Sequence, residues 1–257
     1  MIQNLLLLTS ACRYNTSVDT TTAGRLLDLN KQFYQTFALQ FSATRQRLQP
    51  GVRRLLEIMA GAEHVLDVGC GNGELARALH RRGYAGSYTG LDLSSRLLDE
   101  ARGSLPPGGA FRFLEADLVS PDWEAVLPPG RFDLALAFAV LHHLPGHDLR
   151  RQVLEKVHNR LSPARFFLHS EWQFLASERL RNRIQPWEAA GLSPDEVDPG
   201  DYLLDWRQGG YSLRYVHHFS EAELAGLAAE TGFGIQETTY SDGQGDRLGL
   251  YQIWKRV

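Results

Sequence analysis

Apolar residues recur along the chain with two periods, and their order predicts an α/β protein. Helical spacing begins at Gly24 and breaks at Ser42, and a second helix is expected over 52–59. Short apolar runs typical of buried strands follow at 64–68, 87–93, 111–116, 132–138 and 165–170. Helical spacing separates these runs at 74–82, 95–104 and 147–161. Alternating strands and helices predict a mostly parallel sheet with helices on both faces.

The alternation stops after Ser170. Three tryptophans stand among three prolines in the next forty or so residues, which predicts an inserted cap at about 171–218. Ser220 and Glu223 resemble a capping box, so a helix is expected to run to Thr231 and end at Gly232. The last apolar segments, 234–240 and 249–255, predict a closing antiparallel strand pair at the sheet edge.

The length and composition of the chain limit the possible number of domains and the possible classes of protein. The chain has 257 residues with 43% hydrophobic content, enough to bury the core of one domain over 25–257. Residues 1–24 are polar and rich in threonine, so we expect a loosely ordered N-terminal extension there. Two cysteines, Cys12 and Cys70, predict neither a disulfide framework nor a metal site and favour a cytoplasmic location. No segment is long and apolar enough to predict a membrane span or an exported protein.

The net charge of −3 predicts no global basic field, which leaves a local basic patch as the remaining means of holding nucleic acid.

Three glycines mark the turn between the first predicted strand and its helix. Gly69, Gly71 and Gly73 lack side chains, so the backbone there can approach a ligand closely. A dinucleotide fingerprint would require glycine at position 74, where this chain has Glu74. The spacing therefore disfavours a nicotinamide cofactor, and the absence of a loop lysine disfavours a phosphate-binding P-loop.

Acidic residues stand at or near the ends of the next strands. Asp92 is placed to accept both hydroxyls of a ribose, with a helix N-cap as the alternative role. Asp117 follows the third strand on the same rim, although alone it could simply start a turn. Asp67, inside the first strand, needs a buried partner, which could be a ligand ammonium group or the loop itself.

In this order the residues resemble the class I S-adenosylmethionine-dependent methyltransferases. The resemblance rests on D-x-G-x-G-x-G at 67–73, on GLDLS, on EAD and on FDLALAFAVLHHL at 132–144. It implies a Rossmann-like fold and S-adenosyl-L-methionine as cofactor. It also implies that Gly69 and Gly71 pass under the methionine part, that Asp92 holds the ribose, that Asp117 and Leu118 line the adenine site, and that Ala139 offers its backbone to the ammonium group. Asp67, Gly73 and Leu93 are further candidate cofactor-binding residues.

A narrower resemblance concerns the methyl acceptor. The blocks at 33–45, 139–145 and 214–224 are similar to those of tRNA wobble-uridine methyltransferases, which esterify a carboxymethyl group on the base. This implies tRNA as a partner. The alternatives are a small-molecule carboxylate, phenol or amine acceptor, or a non-catalytic cofactor-binding partner protein. The sequence does not determine the oligomeric state or whether an activator subunit is needed.

A carboxylate acceptor is already ionised near pH 7, so the protein would mainly position it. Arg45 could pair with that carboxylate, or it could be a solvated helix-end cation. His142 and His143 could donate a hydrogen bond or act as a base, or one could be a loop histidine bonded to backbone. If the segment is extended, neighbouring side chains face opposite ways, so we expect only one of the two histidines to touch substrate.

Further candidates for acceptor binding come from the first helix and the cap. Tyr34 could close over the site or belong to the core. Arg214 is a candidate phosphate contact on the rim. His217, like His142, could contact the acceptor or be a loop histidine bonded to backbone, and its position along the chain is a weaker argument for the contact. The tryptophans could stack on a flat acceptor or pack the cap; these are Trp172, Trp187 and Trp206.

Overall fold

The computed structural model describes residues 18–43, 47–107 and 109–257, and its strands form two sheets. The strands of the larger sheet are β1 His64–Val68, β2 Ser87–Asp92, β3 Phe111–Glu115, β4 Phe132–Phe138, β5 Leu161–Trp172, β9 Phe233–Ser241 and β10 Gly249–Arg256. Those of the smaller sheet are β6 Ile184–Gln185, β7 Asp201–Trp206 and β8 Ser212–His217. The larger sheet has the order β3-β2-β1-β4-β5-β10-β9, with β1 to β5 parallel and β10 antiparallel to both its neighbours.

Eight α-helices accompany these strands in the described residues. They are α1 Thr20–Ala43, α2 Pro50–Arg54, α3 Leu56–Ala60, α4 Glu74–Arg81, α5 Ser95–Gly103, α6 His147–Arg160, α7 Glu178–Arg181 and α8 Glu221–Glu230. None of the helices in this part of the chain is long and apolar enough to span a bilayer. The predicted helix over 52–59 is interrupted at Leu55 and forms the two short helices α2 and α3.

Alternate residues of the strands supply two hydrophobic cores, one on each face of the larger sheet. Leu66 of β1 packs with α6 and α8, whereas its neighbour Val65 packs with α2 to α5. Both side chains are fully buried. The period of two in a strand therefore creates the three layers of the fold. The predicted Rossmann-like sheet with helices on both faces and a closing antiparallel pair is confirmed.

The first helix begins earlier than expected. The Asp19 carboxylate accepts the backbone N–H of Thr22 at 2.7 Å, which caps α1 at Thr20 rather than at Gly24. Residues 20–24 of the predicted extension are therefore helical, and residues 1–17 lie outside the described part of the chain. The threonine-rich composition suggested a loop, whereas Asp19, an N-cap residue directly before it, was the signal that a helix begins there.

β5 is longer than the sequence suggested, and this moves the start of the predicted cap. Pairing with β10 continues through Glu171 opposite Leu250 and Trp172 opposite Gly249. Glu171 and Trp172, expected in the cap, are therefore the last residues of a sheet strand. The small sheet lies in the remainder of the insertion.

A buried polar cluster joins that small sheet to the main body. The guanidinium of Arg150 on α6 donates to Glu223 of α8 at 3.0 Å and to the Tyr215 hydroxyl of β8 at 2.9 Å. Asp201 of β7 accepts from that hydroxyl at 2.7 Å. His217 lies between Asp201 and Glu223, at 2.6 and 2.9 Å. Burial of these charges is tolerated because each has a partner.

We expect Arg150→Met to destabilise the protein strongly, because it leaves Asp201 and Glu223 buried without their cation. Breaking a buried pair in this way costs about 3–5 kcal/mol. Arg151→Met is the matched control, since Arg151 is only partly buried and pairs with Asp148 and Glu155 on its own helix. Chemical denaturation should show a large decrease in the free energy of unfolding for Arg150→Met and a decrease of roughly 1 kcal/mol or less for Arg151→Met. Equal losses would contradict the role of the cluster.

Candidate functional site

A cavity of about 380 Å³ opens at the carboxyl ends of the parallel strands. The glycine loop after β1, the ends of β2, β4 and β5, and one side of α1 line it. Ligands of open α/β sheets bind at this edge, where the loops leave the strands. The volume is within the range of small-molecule and cofactor sites, roughly 300–1,000 Å³.

The glycine loop is held against the neighbouring strand. The backbone N–H groups of Gly69 and Cys70 both donate to the Leu91 carbonyl at 2.8 Å, and Gly73 donates to Cys70 at 3.1 Å before α4 begins. At Gly69 a Cβ would lie 2.4 Å from the Val140 side chain, so no larger residue fits. Gly71 has φ +56° and no atom near its missing Cβ, so its backbone faces open space. The loop therefore offers bare backbone to the cavity.

Asp92 at the end of β2 organises the same loop. One carboxylate oxygen accepts the Gly71 N–H at 2.9 Å and the other accepts the Ser94 N–H at 2.9 Å. The N-cap of α5 is Ser94, whose hydroxyl accepts from Leu97 at 3.4 Å, so Asp92 does not cap that helix. Burial raises the pKa of Asp92 against the lowering effect of these amides. Each oxygen keeps a second lone pair for a ligand hydroxyl, and Leu93 lines the cavity beside it.

Asp67 lies in the cavity wall, almost fully buried. The Tyr88 hydroxyl on β2 donates to its carboxylate. Burial raises the pKa of Asp67 to about 7, although the Tyr88 hydrogen bond acts in the opposite direction. Both expected roles are compatible with this position, since Asp67 braces β1 against β2 and also faces the cavity.

The third acid stands at the far side of the cavity. Asp117 starts a turn, since its carbonyl accepts from Ser120 at 2.9 Å and its side chain accepts from Val119 at 3.2 Å. Its carboxylate also lies 3.9 Å from the ammonium group of Lys31 on α1. Asp117 and Leu118 both line the cavity, so the turn leaves the Asp117 side chain in the cavity wall.

Ala139 follows β4 in a left-handed conformation with φ +59°. Its N–H donates to the Ser170 carbonyl on β5 at 2.9 Å. The group through which Ala139 could accept from an ammonium is therefore its carbonyl. Strained backbone of this kind is concentrated at functional sites.

His142 and His143 do not lie on an extended segment but in a 3₁₀ turn, Leu141–His143. Their rings are 4.4 Å apart and both line the cavity, so the expectation of opposite faces was wrong. His143 Nε2 lies 2.8 Å from the Tyr34 hydroxyl, and its Nδ1 lies 3.5 Å from the Tyr215 carbonyl. His142 Nδ1 lies 2.9 Å from the Glu171 carboxyl. His143 therefore ties α1 to β8, whereas His142 pairs with β5.

Arg214 is not on the rim, as expected for a phosphate contact, but buried in the cavity wall. Its guanidinium lies 4.7 Å from the centre of the Trp172 ring. The Phe33 and Trp206 rings follow at 5.5 and 5.8 Å. Aromatic faces stabilise a cation in such a cage. All four residues of β8 from Arg214 to His217 are buried, so this side chain lies inside the protein and not on the rim.

The remaining predicted residues are placed differently. His217 is not among the described residues that line the cavity, and both its ring nitrogens face carboxylates of the buried cluster. The prediction that His217 contacts an acceptor is therefore wrong for this structure. Trp187 packs with Leu26 and Leu192 away from Arg214. Arg45 lies outside the described residues.

Sequence reasoning missed Glu171 and Lys31, which also line the cavity. Glu171 was assigned to the cap, and only the strand pairing with β10 shows that it ends β5. Lys31 is one turn of α1 before Tyr34, so helical spacing from Tyr34 would have found it.

The family model and the most similar relatives that match this chain are all methyltransferases. A family model described as a methyltransferase domain matches residues 41–238. A methyltransferase of Encephalitozoon cuniculi is 30% identical over 206 residues, which are 79% of this chain and 86% of that protein. The trans-aconitate 2-methyltransferase of Shigella flexneri serotype 5b is 38% identical over 121 residues. That match covers 47% of this chain and 42% of the enzyme, less than half of each.

Solved structures show the same fold. A methyltransferase from Methanosarcina mazei superposes with a TM-score of 0.61 at 24% identity, covering 82% of this chain and 98% of that one. An amino pentose methyltransferase from Micromonospora echinaspora gives 0.58 at 19% identity, covering 85% and 97%. The narrower tRNA resemblance stays a prediction. Since the family model spans most of the chain and the glycine loop and acids lie around one cavity, the chain belongs to the methyltransferase-domain family and is an S-adenosyl-L-methionine-dependent methyltransferase.

Proposed function

We propose that this enzyme methylates a carboxylate oxygen of a small molecule held in the cavity beside Arg214. The observation that carries the proposal is a buried guanidinium in the cavity wall, stacked on Trp172. A guanidinium presents a planar set of donors that matches a carboxylate. Its position inside the cavity suits a small acid that can enter fully.

The cofactor half of the cavity fits S-adenosyl-L-methionine by its shape and its acids. The open side of Gly71 would admit the methionine end against bare backbone, with Asp67 and the Ala139 carbonyl near its ammonium group. Asp92 keeps lone pairs for two ribose hydroxyls, and Leu118 would lie against the adenine. We assign Gly69 and Gly73 to shaping the loop, Leu93 to the ribose side and Asp117 to the adenine amino group.

S-adenosyl-L-methionine supplies an electrophilic methyl group on sulfur, whose transfer forms an oxygen–carbon bond while the sulfur–carbon bond breaks and its electron pair stays on sulfur. An ionised carboxylate gives up no proton on becoming a methyl ester. The protein therefore needs to bind and orient the acceptor and to exclude water from it. Arg214 would hold the carboxylate, Trp172 would limit the space beside it, and His142 would contact it from the end of β4.

The relatives support this acceptor class. The Shigella enzyme is named for trans-aconitate, a carboxylic acid, and it matches this chain at 38% identity over 121 residues. We also propose that the insertion after β5, residues 173–218, covers the acceptor, because β8 of that insertion supplies Arg214.

A second candidate is the carboxymethyl group of a tRNA wobble uridine. The three blocks that carry this resemblance meet beside the cavity: Tyr34 contacts His143 at 2.8 Å, and His143 contacts Tyr215 at 3.5 Å. The acceptor would again be a carboxylate, so the same chemistry applies. Arg45, a candidate for holding it, stays a prediction.

The deciding experiment incubates the protein with methyl-labelled S-adenosyl-L-methionine and, separately, with tRNA and with a panel of small carboxylic acids that includes trans-aconitate. Labelled methyl ester on a small acid supports the first candidate, and labelled ester in a wobble nucleoside supports the second. Label on a phenol or an amine in a metabolite pool would overturn the carboxylate assignment. Cofactor binding with no product from any pool would favour a non-catalytic partner protein.

We expect Arg214→Gln to lower kcat/KM for a carboxylate acceptor, mainly through KM. A charge-assisted hydrogen bond contributes about 1.5–3 kcal/mol, which corresponds to roughly a 10- to 150-fold effect. Arg207→Gln is the matched control, because Arg207 is an exposed arginine of the same insertion paired with Asp205. Undiminished kcat/KM in Arg214→Gln would remove Arg214 from the acceptor site.

Asp92→Ala should weaken S-adenosyl-L-methionine binding, because it removes the ribose acceptor and frees the Gly71 amide it holds. The expected loss is about 1–3 kcal/mol, measured by isothermal titration calorimetry. Asp99→Ala on the exposed face of α5 serves as control. Equal affinities for the Asp92 variant and the wild type would exclude the assignment.

Cofactor affinity should depend on pH through Asp67. A bound cation favours the ionised carboxyl, so the pKa of Asp67, about 7 in the free protein, is expected to fall on binding. The affinity that the Asp67 carboxylate adds is then fully present above pH 7, and it is lost as the pH falls below 7 because the carboxyl becomes protonated in the free protein. Calorimetry across this range should show the loss in wild type and a flatter profile in Asp67→Asn. Identical profiles would place Asp67 outside the cofactor contact.

A further inference from the structure

A buried chain of three titratable side chains ends at the acceptor side of the cavity. Glu171 lies between two histidines, with one oxygen 2.9 Å from His142 Nδ1 and the other 3.1 Å from His169 Nδ1. All three side chains are almost completely buried. Carboxylate methylation as described above uses neither Glu171 nor His169.

The protonation of His142 follows from a third contact. The backbone N–H of Trp172 also points at His142 Nδ1, at the long hydrogen-bond distance of 3.4 Å. A backbone N–H can only donate, so Nδ1 must accept. In a neutral imidazole the proton is then on Nε2, on the side of the ring turned away from Glu171.

The same reasoning applies to Glu171. Two acceptors cannot share a 2.9 Å contact, so the Glu171 oxygen next to His142 Nδ1 must carry a proton. Its other oxygen can then accept from His169 Nδ1. The three contacts are satisfied together when Glu171 is a neutral acid and both histidines are neutral.

The electrostatic surroundings agree with this arrangement. Burial raises the pKa of Glu171 well above its usual range, with Glu223 acting in the same direction and the His142 amide and Arg150 acting against it. Burial also lowers the pKa of His169 to about 3, so that this ring is neutral. A further titratable neighbour, His143, lies 2.8 Å from the Tyr34 hydroxyl and 3.5 Å from the Tyr215 carbonyl through its own nitrogens.

We propose that protonated Glu171 is a positioning residue that fixes His142 as an Nε2–H hydrogen-bond donor toward the acceptor carboxylate. His142 then binds the acceptor and does not act as a general base. The nature of the acceptor in this inference rests on the proposed function, whereas the protonation states rest on the contacts alone.

The arrangement would select for carboxylates. A neutral Glu171 adds no negative charge near an incoming anion, and Arg214 and the His142 Nε2–H would both donate to it. A phenol or a protonated amine would need a base to take its proton, and a histidine held as a donor cannot supply one.

The test is the tautomer of His142, read by nitrogen-15 NMR of the histidine-labelled full chain at neutral pH. Comparison with His142→Gln assigns the signals. We expect Nε2 to be protonated and Nδ1 to be unprotonated. A proton on Nδ1 alone, or a charged imidazolium, would overturn the inference.

A pH series with Glu171→Gln identifies the source of the effect. When Glu171 ionises at high pH in the wild type, His142 should shift to the Nδ1–H form, because a charge-assisted hydrogen bond to the carboxylate at 2.9 Å is stronger than the 3.4 Å contact from the Trp172 amide. Glu171→Gln, which stays neutral, should show no such shift, and Glu178→Gln on exposed α7 should behave as wild type. A shift that persists in Glu171→Gln would exclude Glu171 as its cause.

The two proposals can fail separately. The NMR measurement requires no acceptor, so an Nδ1–H tautomer would overturn the role of Glu171 even if a methyl ester is formed. Label on an amine would overturn the carboxylate assignment even if the tautomer is as expected.

Discussion

The pairing of β5 with β10 is the constraint on which the Arg214 side of the cavity depends. Because the antiparallel ladder continues to Trp172, the last three residues of β5 are fixed in the sheet beside the end of β4. Ser170 accepts from Ala139, Glu171 contacts His142, and Trp172 lies against Arg214. One strand end thus positions a backbone turn, a histidine and a cation at the same cavity.

The glycine-loop side of the cavity is organised by acids that brace the backbone. Asp92 holds the glycine loop through Gly71, and Asp67 receives the Tyr88 hydroxyl. Since burial alone would favour neutral acids, the amides and the hydroxyl are what keep ionised forms accessible.

The Arg214 side of the cavity combines a buried cation with aromatic rings and the Glu171 carboxyl. Arg214 is surrounded by aromatic faces, and the structure places Glu171 where it can remain protonated between two histidines. In our proposal the positive charge of Arg214 attracts a carboxylate, and a protonated Glu171 carries no negative charge that would repel it. The buried cluster around Arg150 holds β7 and β8 on the main body, so it determines where Arg214 lies.

The sequence by itself determined the order of strands and helices, the glycine loop and the acids at the strand ends, because these depend on local periodicity and on residues that adjoin their own strand. The limits of β1 and β4 were predicted as observed. Only the tertiary structure decided the end of β5, the inward position of Arg214 and the burial of His217. Each of these depends on contacts between segments far apart in the chain, such as Trp172 with Gly249 or Tyr215 with Asn30. A local pattern carries no information about such partners, which is why the glycine loop was located from the sequence, whereas Arg214 and His142 were named as candidates without their positions or partners.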